Sequence, residues 1–235
     1  MDRRLKLSDS ALFDFVESFS KPAHLKDPCS KEYFWSNYEN LNVYGLNKPD
    51  EIIGLTVHDL DQFMKPYWGK EFAGQVGGLD DKVVNKNITV SVYNRTLVDK
   101  FGLLHIQNMT KTPILNNTNR VSGILTISSD ITDNINLFYI FSKYRKIYKK
   151  KRDACIYFMK YLKIDSFFCD VLSEKEFVCM LHMIESNTYK GISNKMNVSR
   201  KTVETHIRHI ICKLRSKTLN EILEYLRNRN YYGTT

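Results

Sequence analysis

The chain has 235 residues, of which 43% are hydrophobic and 26% are charged, a composition typical of globular proteins and unlike that of disordered chains. No apolar run approaches the roughly 18 residues that a membrane-spanning helix needs, and the first 20 residues lack the features of a signal peptide. Five cysteines without a CxxC pair favour reduced thiols, so we expect a cytoplasmic protein.

Charge is distributed unevenly along the chain. The formal net charge is +9, yet residues 1–134 carry 15 basic and 17 acidic side chains, whereas residues 135–235 carry 20 basic and 9 acidic ones. This asymmetry predicts that the second half binds a polyanion. Nucleic acid is the first candidate, an anionic membrane surface is the second, and a solvated basic face without a partner is the remaining alternative.

The pattern of elements predicts an α+β protein in four parts. Residues 1–29 are expected to form an N-terminal helical extension. Residues 30–133 are expected to form an antiparallel sheet with helices, because strand-like runs precede and follow a helical middle. The strand-like runs lie at 32–35, 87–92, 102–111 and 121–128. Residues 134–168 contain neither glycine nor proline before residue 165 and predict a basic connector of one or two helices, and residues 169–235 predict a wholly helical domain.

The connector contains apolar residues at a spacing of three and four, which resembles a short coiled-coil seam. These residues are Leu137, Phe141, Tyr144, Tyr148, Cys155, Phe158 and Leu162. The seam packs either against its own domain or against a second subunit, and the pattern does not distinguish the two. The basic run at 149–152 serves as a hinge, contacts phosphate or is simply solvated.

The last domain contains the pattern of a helix-turn-helix. Ser173, followed three residues later by Glu176, predicts a capping box at a helix start. Further along, a short helix, a turn at 197–198 and a longer helix capped by Ser199 follow one another. In such an arrangement the second helix enters the major groove of DNA with its N-terminal residues at the base edges.

The spaced motifs of this domain are Leu172-Ser173-x-x-Glu176, Ile192-Ser193, Val198-Ser199-x-x-Thr202-Val203-x-x-His206-Ile207 and Lys213-Leu214. Together they resemble the LuxR-type helix-turn-helix, a four-helix DNA-binding domain of bacterial transcription regulators. The resemblance implies that Glu204, Thr205 and Arg208 face bases and that phosphates lie near Ser199, Lys201, Thr202 and Lys213. Arg200, at the basic helix start, completes the predicted DNA-binding set. Gly191, Ser193 and Glu204 depart from the common family pattern, and Glu204 indicates an altered sequence preference.

The first half contains Val43-Tyr44-Gly45-Leu46, Pro49-Asp50-Glu51-Ile52-Ile53-Gly54, Val121-x-Gly123-Ile124-Leu125 and Ser129-Asp130-Ile131-Thr132. In this order and spacing they are similar to a PAS sensor domain. The glycine usual in the last hairpin is missing, and we expect Asn119 to adopt the left-handed conformation in its place.

A PAS-like fold implies a pocket between sheet and helices, and aromatic residues provide either its ligand wall or an ordinary core. The candidate ligand-binding residues are Trp35, Tyr38, Tyr44, Phe63, Tyr67 and Trp68. The flavin-adduct cysteine motif is absent, since no cysteine lies between Cys29 and Cys155. His58 and His105 are the only histidines available as haem ligands there, and structural roles are the commoner ones for single histidines. The identity of any cofactor or ligand stays unknown at this stage.

Metal binding and catalysis find little support in the sequence. Cys179-x-x-His182 and His206-x-x-His209-x-x-Cys212 place ligand types at helical spacing, but His206 occupies the usual histidine position of the family, so we expect no metal. Signature motifs of phosphate binding, zinc proteolysis and hydrolase chemistry are missing, which predicts a protein that is not an enzyme.

The sequence therefore predicts a sequence-specific DNA-binding transcription regulator, a homodimer whose PAS-like half responds to a small-molecule signal. One alternative is an adaptor whose PAS-like half recruits a protein partner while the basic half anchors it to DNA without specificity. The other is a membrane-surface protein that uses the basic aromatic stretch at 144–163.

Overall fold

The computed structural model describes residues 10–64, 72–185 and 188–231. The chain divides into two compact units, residues 1–131 (unit 1) and residues 132–235 (unit 2). Unit 1 contains an antiparallel sheet with helices and unit 2 is built from helices, so the predicted α+β class is confirmed. None of the helices in these described ranges is long and apolar enough to cross a membrane.

Unit 1 has a five-stranded antiparallel sheet with the order β2-β1-β5-β4-β3. Its strands are β1 (Ala23–Lys26), β2 (Tyr33–Ser36), β3 (Val90–Val98), β4 (Leu104–Leu115) and β5 (Val121–Asp130). Its helices are α1 (Ser10–Glu17), α2 (Tyr38–Tyr44), α3 (Val57–Met64) and α4 (Phe72–Lys86). The helices α2 to α4 therefore lie in the crossover between β2 and β3, as expected for a PAS-like fold.

One strand lies where the sequence predicts a helical extension. Residues 23–26, inside the predicted extension 1–29, form β1 between β2 and β5. All four residues of β1 are buried. A strand buried on both faces shows no alternation of polar and apolar residues, so the period-two signal of a strand is missing there. Only α1 of this segment is helical in the described part.

The two faces of the sheet carry separate apolar clusters. On one face, α2, α3 and α4 contribute to a core that includes Leu41, Leu60 and Val76. Helix α1 packs through Phe13 and Val16 in the second cluster, with residues of β1 and β2. In the β4–β5 turn Asn119 has φ +62°, which confirms the left-handed conformation expected of it.

Asn37 joins the start of α2 to the chain that precedes β1. Its Oδ1 accepts from the backbone N–H of Asn40, at 3.1 Å, and from that of Ala23, at 2.9 Å. Its Nδ2 donates to the carbonyls of Phe19 and Lys21, at 3.1 and 2.8 Å. Asn37 is 1% exposed, so a side chain without these groups leaves buried backbone polar atoms unpaired.

We expect Asn37→Ala to lower the free energy of unfolding of unit 1 by about 2–4 kcal/mol, because it removes a helix cap and buried hydrogen bonds. Urea unfolding followed by tryptophan fluorescence measures this, since both tryptophans, Trp35 and Trp68, belong to unit 1. Asn42→Ala, at an exposed position of the same helix, is the control. Equal unfolding midpoints for the two variants would contradict the assignment.

Unit 2 contains six helices within the described residues. They are α5 (Leu137–Ile147), α6 (Lys151–Leu162), α7 (Glu174–Glu185), α8 (Tyr189–Met196), α9 (Arg200–Cys212) and α10 (Leu219–Tyr231). The connector is thus two helices, which are separated at Tyr148 and the two lysines after it. The predicted capping box is confirmed at α7, where the Ser173 N–H donates to Glu176 Oε2 at 2.6 Å and the Glu176 N–H donates to Ser173 Oγ at 3.3 Å.

The aromatic seam of the connector packs inside unit 2. The ring of Phe141 (α5) lies 4.8 Å from that of Phe158 (α6) and 5.3 Å from that of Phe177 (α7). Tyr144 is fully buried and Tyr161 is 9% exposed. The open question of the seam's partner is answered for these residues, because they pack against their own unit. Of the aromatic residues at 144–163 on which the membrane-surface alternative depends, Tyr144, Phe158 and Tyr161 are buried.

Candidate nucleic-acid interface

Helices α8 and α9 form a capped helix-turn-helix. Thr188 caps α8, since its Oγ1 accepts from the Gly191 N–H at 3.2 Å. Helix α8 ends at Asn197 in the left-handed conformation, with φ +53°. Two residues later Ser199 caps α9, because its Oγ accepts from the Thr202 N–H at 3.1 Å. The cap predicted at Ser199 is therefore confirmed.

Helix α9 has one buried and one exposed side. Val203, Ile207 and Ile210 are buried, and α9 contacts both α7 and α8. Leu214, the last residue of the sequence motifs in this domain, follows the helix and is half-buried. On α8, Ser193 is buried, and its hydroxyl donates to the Lys190 carbonyl at 2.9 Å. This bond pairs the hydroxyl of a polar residue that lies buried within α8.

The outer side of α9 carries most of the predicted DNA-binding residues. The exposed ones are Ser199, Arg200, Lys201, Glu204 and Arg208, and the half-buried ones are Thr202 and Thr205. The structure thus brings seven of the eight predicted residues to the cap and the first nine residues of one helix.

Two contacts organise this surface. Arg200 Nε donates to Glu204 Oε1 at 3.1 Å, and Thr205 Oγ1 donates to the Lys201 carbonyl at 3.0 Å. The ion pair offsets the carboxylate of Glu204 within the helix. An exposed pair of this kind contributes only about 0.2–1 kcal/mol. Breaking the pair, which would free Arg200 for a phosphate group, therefore costs little.

Lys213, the eighth predicted residue, does not belong to this surface. Its Nζ donates to Glu176 Oε2 at 2.7 Å and to the Val171 carbonyl at 3.0 Å. The ammonium group of Lys213 is already paired within the domain, and the phosphate contact implied for it stays a prediction. The pairing leaves no local pattern in the sequence, because Glu176 and Lys213 lie 37 positions apart.

Glu176 connects the start of α7 to the end of α9. It is 4% exposed, and its carboxylate also lies 3.7 Å from His209 Nδ1. Burial acts to raise the pKa of Glu176, but the hydrogen bonds from Lys213 and Ser173 outweigh it and hold the pKa below its ordinary value. The ionised form is therefore the form that stabilises this unit.

We expect Lys213→Met to destabilise unit 2 by about 2 kcal/mol at pH 7, because a buried carboxylate loses a charged hydrogen-bond partner. The pKa of Glu176 is lower in the folded chain than in the unfolded chain. The ion pair between Glu176 and Lys213 therefore stabilises unit 2 above about pH 4.3, and this stabilisation is lost as the pH falls further. The difference between wild type and variant should then shrink below that pH. Urea unfolding followed by helical circular dichroism measures it, with Lys175→Met at an exposed site of α7 as the control. A difference that is independent of pH would contradict the role of Glu176.

Unit 1 contains a cavity of about 20 Å³ between the sheet and its helices. Of the candidate ligand residues, Tyr44 lines it. Trp35 does not, because its ring stacks on Phe13 of α1 at 4.9 Å in the other apolar cluster. Tyr38 and Phe63 are 54% and 55% exposed, so their predicted place in the ligand wall is also wrong. The predictions for Tyr67 and Trp68 lie outside the described residues.

The cavity is more polar than the sequence predicts. Its lining includes His24, Arg95, Gln107 and Lys111 besides the aromatic and aliphatic residues. Burial lowers the pKa of His24 well below its ordinary value, so His24 is neutral at pH 7. These residues lie on strands, where an isolated polar residue carries no signal of the face that it occupies.

The histidines considered as haem ligands lie elsewhere. His58 is exposed, and His105 lies between two carboxylates, with Nδ1 at 2.6 Å from Asp130 and Nε2 at 3.1 Å from Asp99. Burial acts to lower the pKa of His105, but the hydrogen bonds that its ring donates to the two carboxylates raise it to about 9. Across the part of the chain that the structure describes, no three His, Cys, Asp or Glu side chains form a metal-binding group.

A known protein family matches the C-terminal part of the chain. The family described as "Bacterial regulatory proteins, luxR family" matches residues 170–226. No curated protein sequence matches the chain. Among solved structures, VqmA of Vibrio cholerae in complex with ligand and DNA is similar, with 18% identity, a TM-score of 0.48 and coverage of 98% of this chain and 90% of VqmA. The PAS domain of BvgS from Bordetella pertussis has 14% identity, a TM-score of 0.47 and coverage of 60% and 98%.

Proposed function

We propose, from the membership of residues 170–226 in the luxR family of bacterial regulatory proteins, that α9 reads the major groove of a specific DNA sequence under the control of unit 1. The chain is a LuxR-type DNA-binding transcription regulator with a PAS-like first unit, and not an enzyme. The proposal concerns the residues that contact DNA, the assembly on DNA and the control by a signal. The cytoplasm, where bacterial DNA lies, is the proposed place of action.

One observation supports the assignment of α9 most strongly. Helix α9 exposes Arg200, Lys201 and Arg208 along one side, while Val203 and Ile207 on its other side are buried. A capped helix start also presents unpaired backbone N–H groups, which bind phosphate oxygens. Basic side chains beside such a start suit the phosphate backbone, and a projecting helix face suits the groove.

Individual roles follow from the chemistry of the side chains. Arg208 is proposed to donate to guanine O6 and N7, the commonest specific contact of arginine. Glu204, once released from Arg200, is able to accept from cytosine N4, and Thr205 contacts a neighbouring base edge. Ser199, Arg200, Lys201 and Thr202 are proposed to contact phosphates, which fix the position of the helix without reading sequence.

A homodimer on DNA is part of the proposal. Two recognition helices in a dimer meet half-sites one helical turn apart. The inner side of α10 is fixed by Leu226 and by Arg227, whose guanidinium donates to the carbonyls of Met183 and Ile184. Its outer side exposes Tyr225. Because the connector seam is buried in its own unit, α10 remains our candidate for the dimer contact.

Control by a signal is proposed to begin in the cavity of unit 1. A ligand shifts the arrangement of a protein only when it binds two arrangements unequally. The polar lining of the cavity provides groups that distinguish one small molecule from another. DNA affinity that is unchanged by every small molecule, together with capture of a protein by unit 1, would favour the adaptor alternative.

The base and phosphate roles predict different outcomes for two variants of the full chain. We expect Arg208→Ala to cost about 1–3 kcal/mol on duplexes selected from a random pool and to relax the preference at one base position. Lys201→Ala should weaken binding to all duplexes alike and reduce the slope of log affinity against log salt by about 1.

Gel-shift titrations over a series of salt concentrations measure both effects. Lys86→Ala, at an exposed position of unit 1, is the control and should leave both affinity and salt slope unchanged. Equal losses on every duplex for Arg208→Ala and Lys201→Ala would refute the separation of base and phosphate roles.

A further inference from the structure

Two buried lysines of unit 1 share one aspartate. Lys26 (β1) and Lys111 (β4) are 0% and 1% exposed, and Asp80 (α4) is 0% exposed. Lys26 Nζ lies 3.1 Å from Asp80 Oδ2, and Lys111 Nζ donates to Asp80 Oδ1. Lys111 also donates to Thr126 Oγ1 at 3.3 Å. The group therefore contains two ammonium ions for one carboxylate.

A third cation, Arg95 (β3), lines the cavity of unit 1, which Lys111 also lines. Its guanidinium lies 4.6 Å from the ring centre of Phe72, and its Nη1 lies 3.8 Å from the Met109 sulfur. Neither contact supplies a negative charge. Among the described residues that line the cavity none is acidic, so two positive charges and no carboxylate face it.

The pKa values of the buried bases around the cavity are lowered, as expected for an excess of positive charge. Burial and the charge of Lys26 lower the pKa of Lys111 to about 8 in spite of Asp80, and burial lowers the pKa of Arg95. Lys111 and Lys26 also lower the pKa of His24, after the larger effect of its burial. Burying a charge without a partner is costly, and folded proteins rarely retain one without a function.

We propose that the cavity of unit 1 binds a compact anion against Lys111 and Arg95, either a free monoanion or the carboxylate end of an organic molecule. This deepens the sensor part of the proposed function and rests on it for its regulatory meaning. The cavity of about 20 Å³ has room for about one water-sized group, which matches chloride or a single carboxylate head. Asp80 carries one negative charge for two lysines, and the bound anion supplies another.

Anion-dependent unfolding of the full chain tests the proposal. Urea unfolding at pH 7, followed by the tryptophan fluorescence of unit 1, is compared in sodium formate, sodium chloride and sodium gluconate at equal ionic strength. Gluconate carries five hydroxyl groups, which are costly to desolvate against the apolar part of the cavity lining, and it serves as the reference anion. Above half-saturation, each tenfold increase in formate should raise the folding equilibrium constant about tenfold. Formamide, which has the shape of formate without its charge, should leave that constant unchanged.

Three variants make the test specific to the cavity. Lys111→Met should abolish the formate response and still fold, because it leaves Lys26 and Asp80 as a neutral pair. Asp80→Asn increases the positive excess and should lower the half-saturating formate concentration about tenfold. Lys82→Met, at an exposed position of α4, is the matched control and should respond like the wild type. If Lys111→Met does not fold, the test uses Asp80→Asn, in which the half-saturating formate concentration should fall.

Each outcome has a defined meaning. A response to formate and chloride that pyruvate does not share supports a free monoanion, and a larger response to pyruvate supports the carboxylate end of an organic molecule. Equal midpoints in formate and gluconate, or an equal response to formamide, overturn the proposal. Because the readout is unfolding of unit 1, failure here leaves the DNA-binding proposal standing, and failure of the gel-shift experiment leaves the anion site standing.

Discussion

The burial of one side of α9 is the constraint on which the rest of unit 2 depends. Val203, Ile207 and Ile210 pack inward on a helix whose start is fixed by Ser199. A helix held along its buried side presents its other side as a rigid surface, which the proposed contact of Arg208 with a base edge requires. Loss of this packing would leave a basic helix that binds phosphate without reading sequence.

The helices around α9 extend this constraint through the unit. Glu176 holds the capping box at the start of α7 and the lysine after α9 at the same time. The rings of Phe141, Phe158 and Phe177 join both connector helices to α7. A displacement of the connector is therefore opposed by packing against the helix that also supports α9. Under the proposed control by unit 1, this packing is the route by which a signal would reach α9.

The features that the sequence predicted correctly are local ones. The cap at Ser199 and the left-handed turn at Asn119 depend on residues three or four positions apart, so their pattern is visible along the chain. Pairing over long separations is not visible in this way. The resemblance alone implies a phosphate contact for Lys213, while its pairing with Glu176 and the aspartate shared by the buried lysines leave no local pattern. Trp35 was placed in the pocket because a strand pattern alone does not tell which face of the sheet carries helices and which carries α1.

The most direct measurement of the central claim is the ratio of specific to non-specific DNA affinity of the full chain at one fixed salt concentration. Duplexes are enriched from a random pool, and binding to the enriched sequence is compared with binding to its scrambled form by fluorescence anisotropy. A helix that reads base edges predicts a ratio of at least about 10³. Equal affinities for the two duplexes would contradict the claim, because they would show that α9 contacts the phosphate backbone alone.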